Sequence, residues 1–269
     1  MTATAHLLAS GPGWRVSDII CTAGPDDRAF EEEHPQHCIA VVRSGSFRYR
    51  STQGSAVLAP GSLLLGNRGA CFECGHEHAA GDRCLAFQFE PAWLEGIVEA
   101  VPGARRADFA QAHLPPLPAF AGLVAAAEIA ADDPERLEET AIRLAGAVAS
   151  VLSGAKPGIE TPSVRDQCRI TRALRHIEAH CEEALSVDAL ARRAAMSPYH
   201  FLRRFRALVG MTPHQYVLRT RLHRAALLLR RTDQPVAGIA FDCGFGDLST
   251  FNRRFRRVMG ASPSAYRGA

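Results

Sequence analysis

Phe201-Leu202-Arg203-Arg204-Phe205-Arg206, followed by Gly210, Pro213 and Tyr216, returns fifty residues later as Phe251-Asn252-Arg253-Arg254-Phe255-Arg256 with Gly260, Pro263 and Tyr266. A repeat of this length means that one structural unit was built twice. Each Phe pair is spaced four apart, so it anchors one face of a helix and leaves the neighbouring arginines to the flanks and the far side. Two helices with an apolar face and a cationic face suit two successive grooves of one duplex.

Working outward, Ser197-Pro198, Thr212-Pro213 and Ser262-Pro263 mark helix starts, because the hydroxyl caps free amides while proline presets the first turn. Ser186 opens a short helix over 187–194 with Leu190 and Ala191 inward. The turn Ala195-Met196-Ser197 then leads into a second helix, which makes a helix-turn-helix. The second copy reads as a helix over 236–242, the turn Cys243-Gly244-Phe245-Gly246 and a helix over 247–259 with Asp247 as its cap. A continuous amphipathic helix over 216–231 joins the copies. It offers Leu218, Leu222, Ala225, Ala226 and Leu229 for burial and Arg219, Arg221, Arg224, Arg230 and Arg231 to solvent or phosphate.

Charge divides the chain at the same place. The 269 residues sum to +3, but the first 164 carry 12 Lys+Arg against 20 Asp+Glu and the remainder 19 against 8, a contrast of −8 with +11. Basic charge confined to the C-terminal part is the footprint of a polyanion partner. The sequence has no apolar run long enough for a membrane helix and no basic-then-apolar leader, so a cytoplasmic protein without membrane contact is expected. Eight dispersed cysteines fit reduced thiols in that compartment.

The N-terminal part reads as short antiparallel strands between residues 10 and 90. Ile39 and Val41 alternate with their neighbours, Ser44-Gly45 turns, Phe47 and Tyr49 resume, Pro60-Gly61 turns before Leu63-Leu64-Leu65, and Leu85, Phe87 and Phe89 alternate again. Helices follow at 119–131 and 134–153, the second with the stripe Leu137, Ala141, Leu144, Ala145, Val148 and Leu152, packed within the chain or against a second copy. The expected organisation is α+β: a small antiparallel barrel with a helical hairpin over 1–153, a linker over 154–164, and an all-α domain of two helix-turn-helix motifs over 165–269.

Residues 166–267 resemble the AraC/XylS family of bacterial transcription regulators. Leu190-Ala191 before Ser197, the Phe205 to Gly210 spacing, Arg221-Leu222, Ile239-Ala240, Gly244-Phe245, Phe251, Phe255, Gly260, Pro263 and Tyr266-Arg267 carry the resemblance. It implies that helices 198–208 and 247–258 enter adjacent major grooves. Tyr199, Leu202 and Arg203 in the first, and Leu248, Ser249, Asn252 and Arg253 in the second, match base-contacting positions, with Arg204 beside them for phosphate. Leu202 and Leu248 stand where relatives are often polar. Arginine pairs with guanine, asparagine with adenine, and leucine makes only apolar contact. The barrel is similar to the cupin-like effector and dimerisation domains of this family. The resemblance therefore implies a regulator, activator or repressor, that binds promoter DNA as a homodimer, engages RNA polymerase if it activates, and needs no catalysis.

The segment Cys71-Phe72-Glu73-Cys74-Gly75-His76-Glu77-His78, with Cys84 six residues on, concentrates soft and borderline donors. In a strand, Cys74, His76 and His78 share one face, and a hairpin at Gly81-Asp82 returns Cys84. Such a set suits zinc or another thiophilic metal, and His34 and His37 are candidates to complete it. Three readings stay open: metal or redox sensing, an organic effector bound among these groups, and a purely structural barrel. The rival function is a metal-dependent cupin enzyme, or a thiol-based DNA-damage sensor, fused to a DNA-binding domain. No cofactor is otherwise required.

Overall fold

The computed structural model describes residues 3–27, 29, 31–76, 81–130, 133–154 and 163–268. The chain divides into two compact units, Met1–Ile159 and Glu160–Ala269. Of the expected linker 154–164, residues 155–162 lie outside the described residues.

The first unit is built from two antiparallel sheets. Strands β1 (Ala3–Gly11), β2 (Trp14–Cys21), β4 (His37–Gly45), β7 (Leu63–Gly66), β9 (Asp82–Phe89) and β10 (His113–Leu114) form one sheet in the order β1-β2-β9-β4-β7-β10. Strands β3 (Glu31–Glu33), β5 (Phe47–Ser51), β6 (Gly54–Leu58) and β8 (Cys71–Gly75) form the other, ordered β3-β8-β5-β6. Strand alternation explains the layering: Phe47 and Tyr49 are buried while Arg48 and Arg50 between them are exposed. The inner faces share a core that includes Cys38, Ala40, Val42, Phe47, Tyr49, Leu58, Leu64, Cys84 and Ala86. The turn expected at Ser44-Gly45 falls one residue later, since both residues still belong to the end of β4 and Ser46 alone separates it from β5, while Pro60-Gly61 falls between β6 and β7.

The strands begin at Ala3, earlier than expected, and β10 adds a pairing from beyond residue 90. Helix α1 (Pro91–Glu99) was not anticipated, although Glu90-Pro91 opens it and Leu94, Ile97 and Val98 mark one buried face. Helices α2 (Pro118–Ala130) and α3 (Pro134–Leu152) make the hairpin. Leu137, Ala141, Leu144, Ala145 and Val148 are fully buried, and α3 packs on α2, α1, β1 and β2. The small-residue stripe is therefore covered within the chain.

The second unit is all helical: α4 (Val164–Ala179), α5 (Val187–Arg193), α6 (Pro198–Val209), α7 (Pro213–Arg231), α8 (Val236–Asp242), α9 (Leu248–Met259) and α10 (Pro263–Gly268). The caps stand where the sequence places them. Ser186 accepts from the Ala189 amide at 3.1 Å, Ser197 from His200 at 3.4 Å, Thr212 from Gln215 at 3.3 Å and Asp247 from Thr250 at 2.7 Å. Gly210 and Gly260 end α6 and α9 in the left-handed conformation at φ 77° and 78°, which favours glycine. The joining helix starts three residues before the expected 216 because the Thr212-Pro213 cap belongs to it.

Helix α4 was missed, and it changes the reading of the first copy. Its signal is a capping box, in which Ser163 accepts from the Asp166 amide at 3.1 Å and Asp166 accepts from the Ser163 amide at 3.2 Å, followed by buried Ile170, Ala173 and Ile177 at helical spacing. The same box recurs as Thr212 and Gln215 at the start of α7. The repeated unit is thus three helices long, α4-α5-α6 and α7-α8-α9.

Candidate nucleic-acid interface and barrel cavity

In each copy the second helix is held by its phenylalanines. Phe201, Phe205, Phe251 and Phe255 are fully buried, and truncating such a side chain costs about 3–5 kcal/mol. Their rings meet in pairs, Phe201 with Phe205 at 5.5 Å and Phe251 with Phe255 at 5.4 Å between centroids, and Tyr216 and Tyr266 each close the next turn edge-on. Anchoring one face fixes the rotation of the helix, and so fixes which side chains point outward.

On α9 the expected set is outward: Leu248, Ser249, Asn252 and Arg253 are all exposed. On α6, Tyr199 and Arg203 are partly exposed, with the Arg203 guanidinium carbon 5.8 Å from the Tyr199 ring centroid, a contact that orients the arginine. The other two α6 candidates are corrected. Leu202 is only 5% exposed and Arg204 only 8%, so neither presents a surface to a base or a phosphate. For Arg204 the physical reason is α4, which packs along α6 and places Asp166 beside the arginine, with Arg204 Nε 3.4 Å and His200 Nε2 3.8 Å from its carboxylate. Burial pushes the Asp166 carboxyl up, but the Ser163 hydrogen bonds and the Arg204 and His200 charges outweigh it and hold the group below the usual carboxylate range.

Arg221 is likewise corrected. It is buried on α7, where its guanidinium donates to the backbone carbonyls of Cys181 and of Glu183, the latter at 2.7 Å. Arg224 reaches the same loop, donating to Glu182 Oε2 at 2.6 Å. These two arginines fasten the α4–α5 connection to the helix that spans both copies. Gly244 lies against it from the other side: at φ 84°, a Cβ there would come within 2.5 Å of the Glu182 carbonyl oxygen. The spacing of the two reading helices is therefore set by a packed joint as well as by the length of α7.

The barrel holds a cavity of ≈ 210 Å³ between its sheets. Its apolar wall includes Ile19, Cys38, Ala40, Phe47, Leu64 and Phe72, and its polar groups include Cys21, His34, Cys74, His76, Asp82 and Cys84, with Glu32, Glu33 and Gln88 also on the lining. Burial pushes the Cys38 thiol up to about 12 and raises Cys74 and Cys84 further. His34 is buried, stacks on Phe72 at 4.1 Å and meets Tyr49 Oη through Nε2 at 2.9 Å, and burial lowers its pKa to about 4. It fits there because residue 66 is glycine: a Cβ on Gly66 would lie 2.3 Å from the His34 ring.

The expected metal set of Cys74, His76, His78 and Cys84 comes together only in part. Cys74, His76 and Cys84 line the one cavity, while His78 lies outside the described residues. Strand β8 ends at Gly75, so His76 sits just past it instead of at the alternate position of a longer strand. Among the described residues, the donors within coordinating reach of one another are Cys21, His76 and Asp82, all within 4.8 Å. Cys74 and Cys84 stand outside that group. His37 is buried elsewhere, 4.0 Å from Asp108, and does not line the cavity. Cys21 and Asp82 were missed because cross-strand pairing joins them, and nothing local in sequence marks that.

A two-sheet barrel with an internal cavity, followed by two helix-turn-helix motifs joined through α7, is the architecture on which the comparisons with known families bear. The AraC-like ligand binding domain family matches residues 19–147 and a helix-turn-helix domain family matches residues 190–269. The regulatory protein SoxS of Salmonella typhimurium is 36% identical over 91 residues, which is 34% of this chain and 85% of that protein. The probable transcriptional regulator LumQ of Photobacterium leiognathi is 40% identical over 91 residues, 34% of this chain and 37% of LumQ. The transcriptional activator RhaS of Escherichia fergusonii is 40% identical over 99 residues, 37% of this chain and 36% of RhaS. The chain belongs to the AraC family; its matched segment spans little more than a third of LumQ and of RhaS.

Proposed function

We propose that this protein is a sequence-specific, DNA-binding transcription regulator whose barrel senses a small molecule, a metal ion or a redox signal. The observation that carries the reading is the exposure of Leu248, Ser249, Asn252 and Arg253 on α9, beside Tyr199 and Arg203 on α6, with both helices anchored from behind by buried phenylalanines. Arg203 and Arg253 read guanine edges, Asn252 an adenine, Leu248 a thymine methyl, and Ser249 either a base or a phosphate. Arg256 and Arg257, exposed near the end of α9, serve phosphates. The partner is double-stranded promoter DNA, bound by a homodimer, with RNA polymerase as a further partner if the protein activates. The reading is of a cytoplasmic, non-catalytic protein; no described helix is long and apolar enough to cross a membrane. Of the matched relatives, RhaS is a transcriptional activator, LumQ a probable transcriptional regulator and SoxS a regulatory protein.

Burial raises the pKa of the Cys38, Cys74 and Cys84 thiols, which weighs against these three as alkyl-accepting thiolates.

Selection of the full chain against random-sequence duplex DNA, followed by a salt titration on the enriched site, tests the reading. A defined motif should emerge, with affinity falling steeply as salt rises, because each neutralised phosphate releases counterions. Failure to enrich any motif, or a flat salt response, overturns it.

A further inference from the structure

The mouth of the barrel brings three metal-ligating side chains together from both sheets. Cys21 is the last residue of β2 and Asp82 the first of β9, paired directly across the ladder, so their side chains leave the same face. That face is the cavity face, since the next inward pair, Ile19 and Cys84, also lines the cavity. His76 arrives from the other sheet just beyond β8, and its Nε2 lies 2.6 Å from Asp82 Oδ1. The His76 and Asp82 side chains are 2% and 7% exposed, and Phe47 stacks on the imidazole with centroids 5.8 Å apart. Cys84 Sγ donates to the second Asp82 oxygen, Oδ2, at 3.3 Å and so orients the carboxylate from outside the group.

We propose that Cys21, His76 and Asp82 form a site for a zinc-class divalent cation that ties the two sheets together at the barrel mouth. One sulfur, one nitrogen and one oxygen donor match the preference of zinc, and three protein ligands leave a fourth tetrahedral position for water or an effector group. On binding, the Cys21 thiol gives its proton to solvent and coordinates as thiolate, while the His76–Asp82 hydrogen bond is exchanged for two bonds to the ion, the imidazole giving up its Nε2 proton to solvent and keeping or taking one on Nδ1 so that it coordinates as neutral imidazole. Cys84 keeps its bond to Asp82 and acts as the outer-shell partner. The open position deepens the sensing reading, and the regulatory role of the site, though not the site itself, rests on that reading.

The test uses the full reduced chain and cobalt(II) as the spectroscopic probe. Wild type should take up one equivalent with a thiolate-to-cobalt charge-transfer band. Cys21→Ser should lose the band, and Asp82→Asn should weaken binding by more than about 100-fold, beyond the roughly 10- to 100-fold typical of losing an outer-shell partner. Cys84→Ala should fall within that smaller range, and Cys71→Ser and Cys168→Ser, at exposed cysteines, should change nothing. A readout independent of variant folding is thiol alkylation mapped by mass spectrometry in the unaltered chain, where zinc should protect Cys21 and leave Cys71 and Cys168 reacting as before. Absence of the band in wild type, its persistence in Cys21→Ser, or alkylation of Cys21 at an unchanged rate overturns the site. The same samples are assayed on the duplex selected above. A chain that binds that duplex but not cobalt refutes the cation site alone, whereas one that binds cobalt but no duplex supports the site and refutes the DNA-binding reading.

Discussion

The two helix-turn-helix copies share a sequence pattern but not a surface. In the first, α4 covers one flank of the reading helix, and Asp166 both caps α4 and pairs with Arg204, leaving Tyr199 and Arg203 as the partly open positions. In the second, Gln215 stands forty-nine residues on from Asp166 and Arg254 fifty on from Arg204, and that arginine is only half-buried. All four expected positions of α9 are exposed. The turns differ as well: four residues separate α5 from α6, and five separate α8 from α9. A repeated motif therefore fixes the backbone frame, while a charge on the helix that opens the unit, two helices before the reading helix, draws one of its arginines out of the reading face.

The largest expected effect comes from the joint between the copies. Gly244→Ala places a methyl against the Glu182 backbone and a side chain in the left-handed region; it should destabilise the helical domain by about 3–4 kcal/mol, combining overpacking with backbone strain. A denaturant midpoint within error of wild type would show that the joint is slack. Next, Arg204→Ala should cost about 2–3 kcal/mol of stability by removing a charged hydrogen-bonding partner, with the salt slope of DNA binding unchanged. If the slope flattens instead, Arg204 reaches phosphate and the two copies are more alike than their burial implies.

Arg253→Ala should show the converse pattern, losing about 1–3 kcal/mol of binding on the preferred site and relaxing one base position while the fold keeps its stability. Footprints indistinguishable from wild type would remove Arg253 from the interface. The smallest effect is expected at Ala195, the one described non-glycine residue with positive φ, at 51°. It follows the C-cap of α5, where the second copy uses Gly244 after the C-cap of α8. Ala195→Gly should stabilise the domain by about 0.5–1 kcal/mol, the relief of left-handed strain less the entropy glycine adds to the unfolded chain. A loss of stability there would mean that the alanine methyl packs usefully.

Much of the helical domain could be read directly because its signals are local. Ser197, Thr212 and Asp247 announce helix starts, Gly210 and Gly260 announce stops, and the Phe pairs state which face is inside. Helix α4 carries equivalent local signals in Ser163, Asp166, Ile170 and Ile177 and is equally legible. Leu202, Arg204 and Arg221 look like surface positions from their own segments, because each is buried through elements that the helical period of that segment does not reveal. In the barrel, the Cys74–His76–Cys84 region marked the right neighbourhood, but its partner ligands came from elsewhere.

The sequence by itself determined the number of repeated units, the period and polarity of each helix, the strand rhythm of the barrel and the separation of acidic from basic halves, because these depend on neighbours within a few positions or on sums over composition. Only tertiary structure decided that Asp166 turns Arg204 inward, that Glu182 forbids a side chain at Gly244, and that Cys21 meets His76 and Asp82 across two sheets. Those contacts join residues roughly forty to sixty positions apart. Their energies depend on which surfaces exclude water together, and no local pattern encodes that.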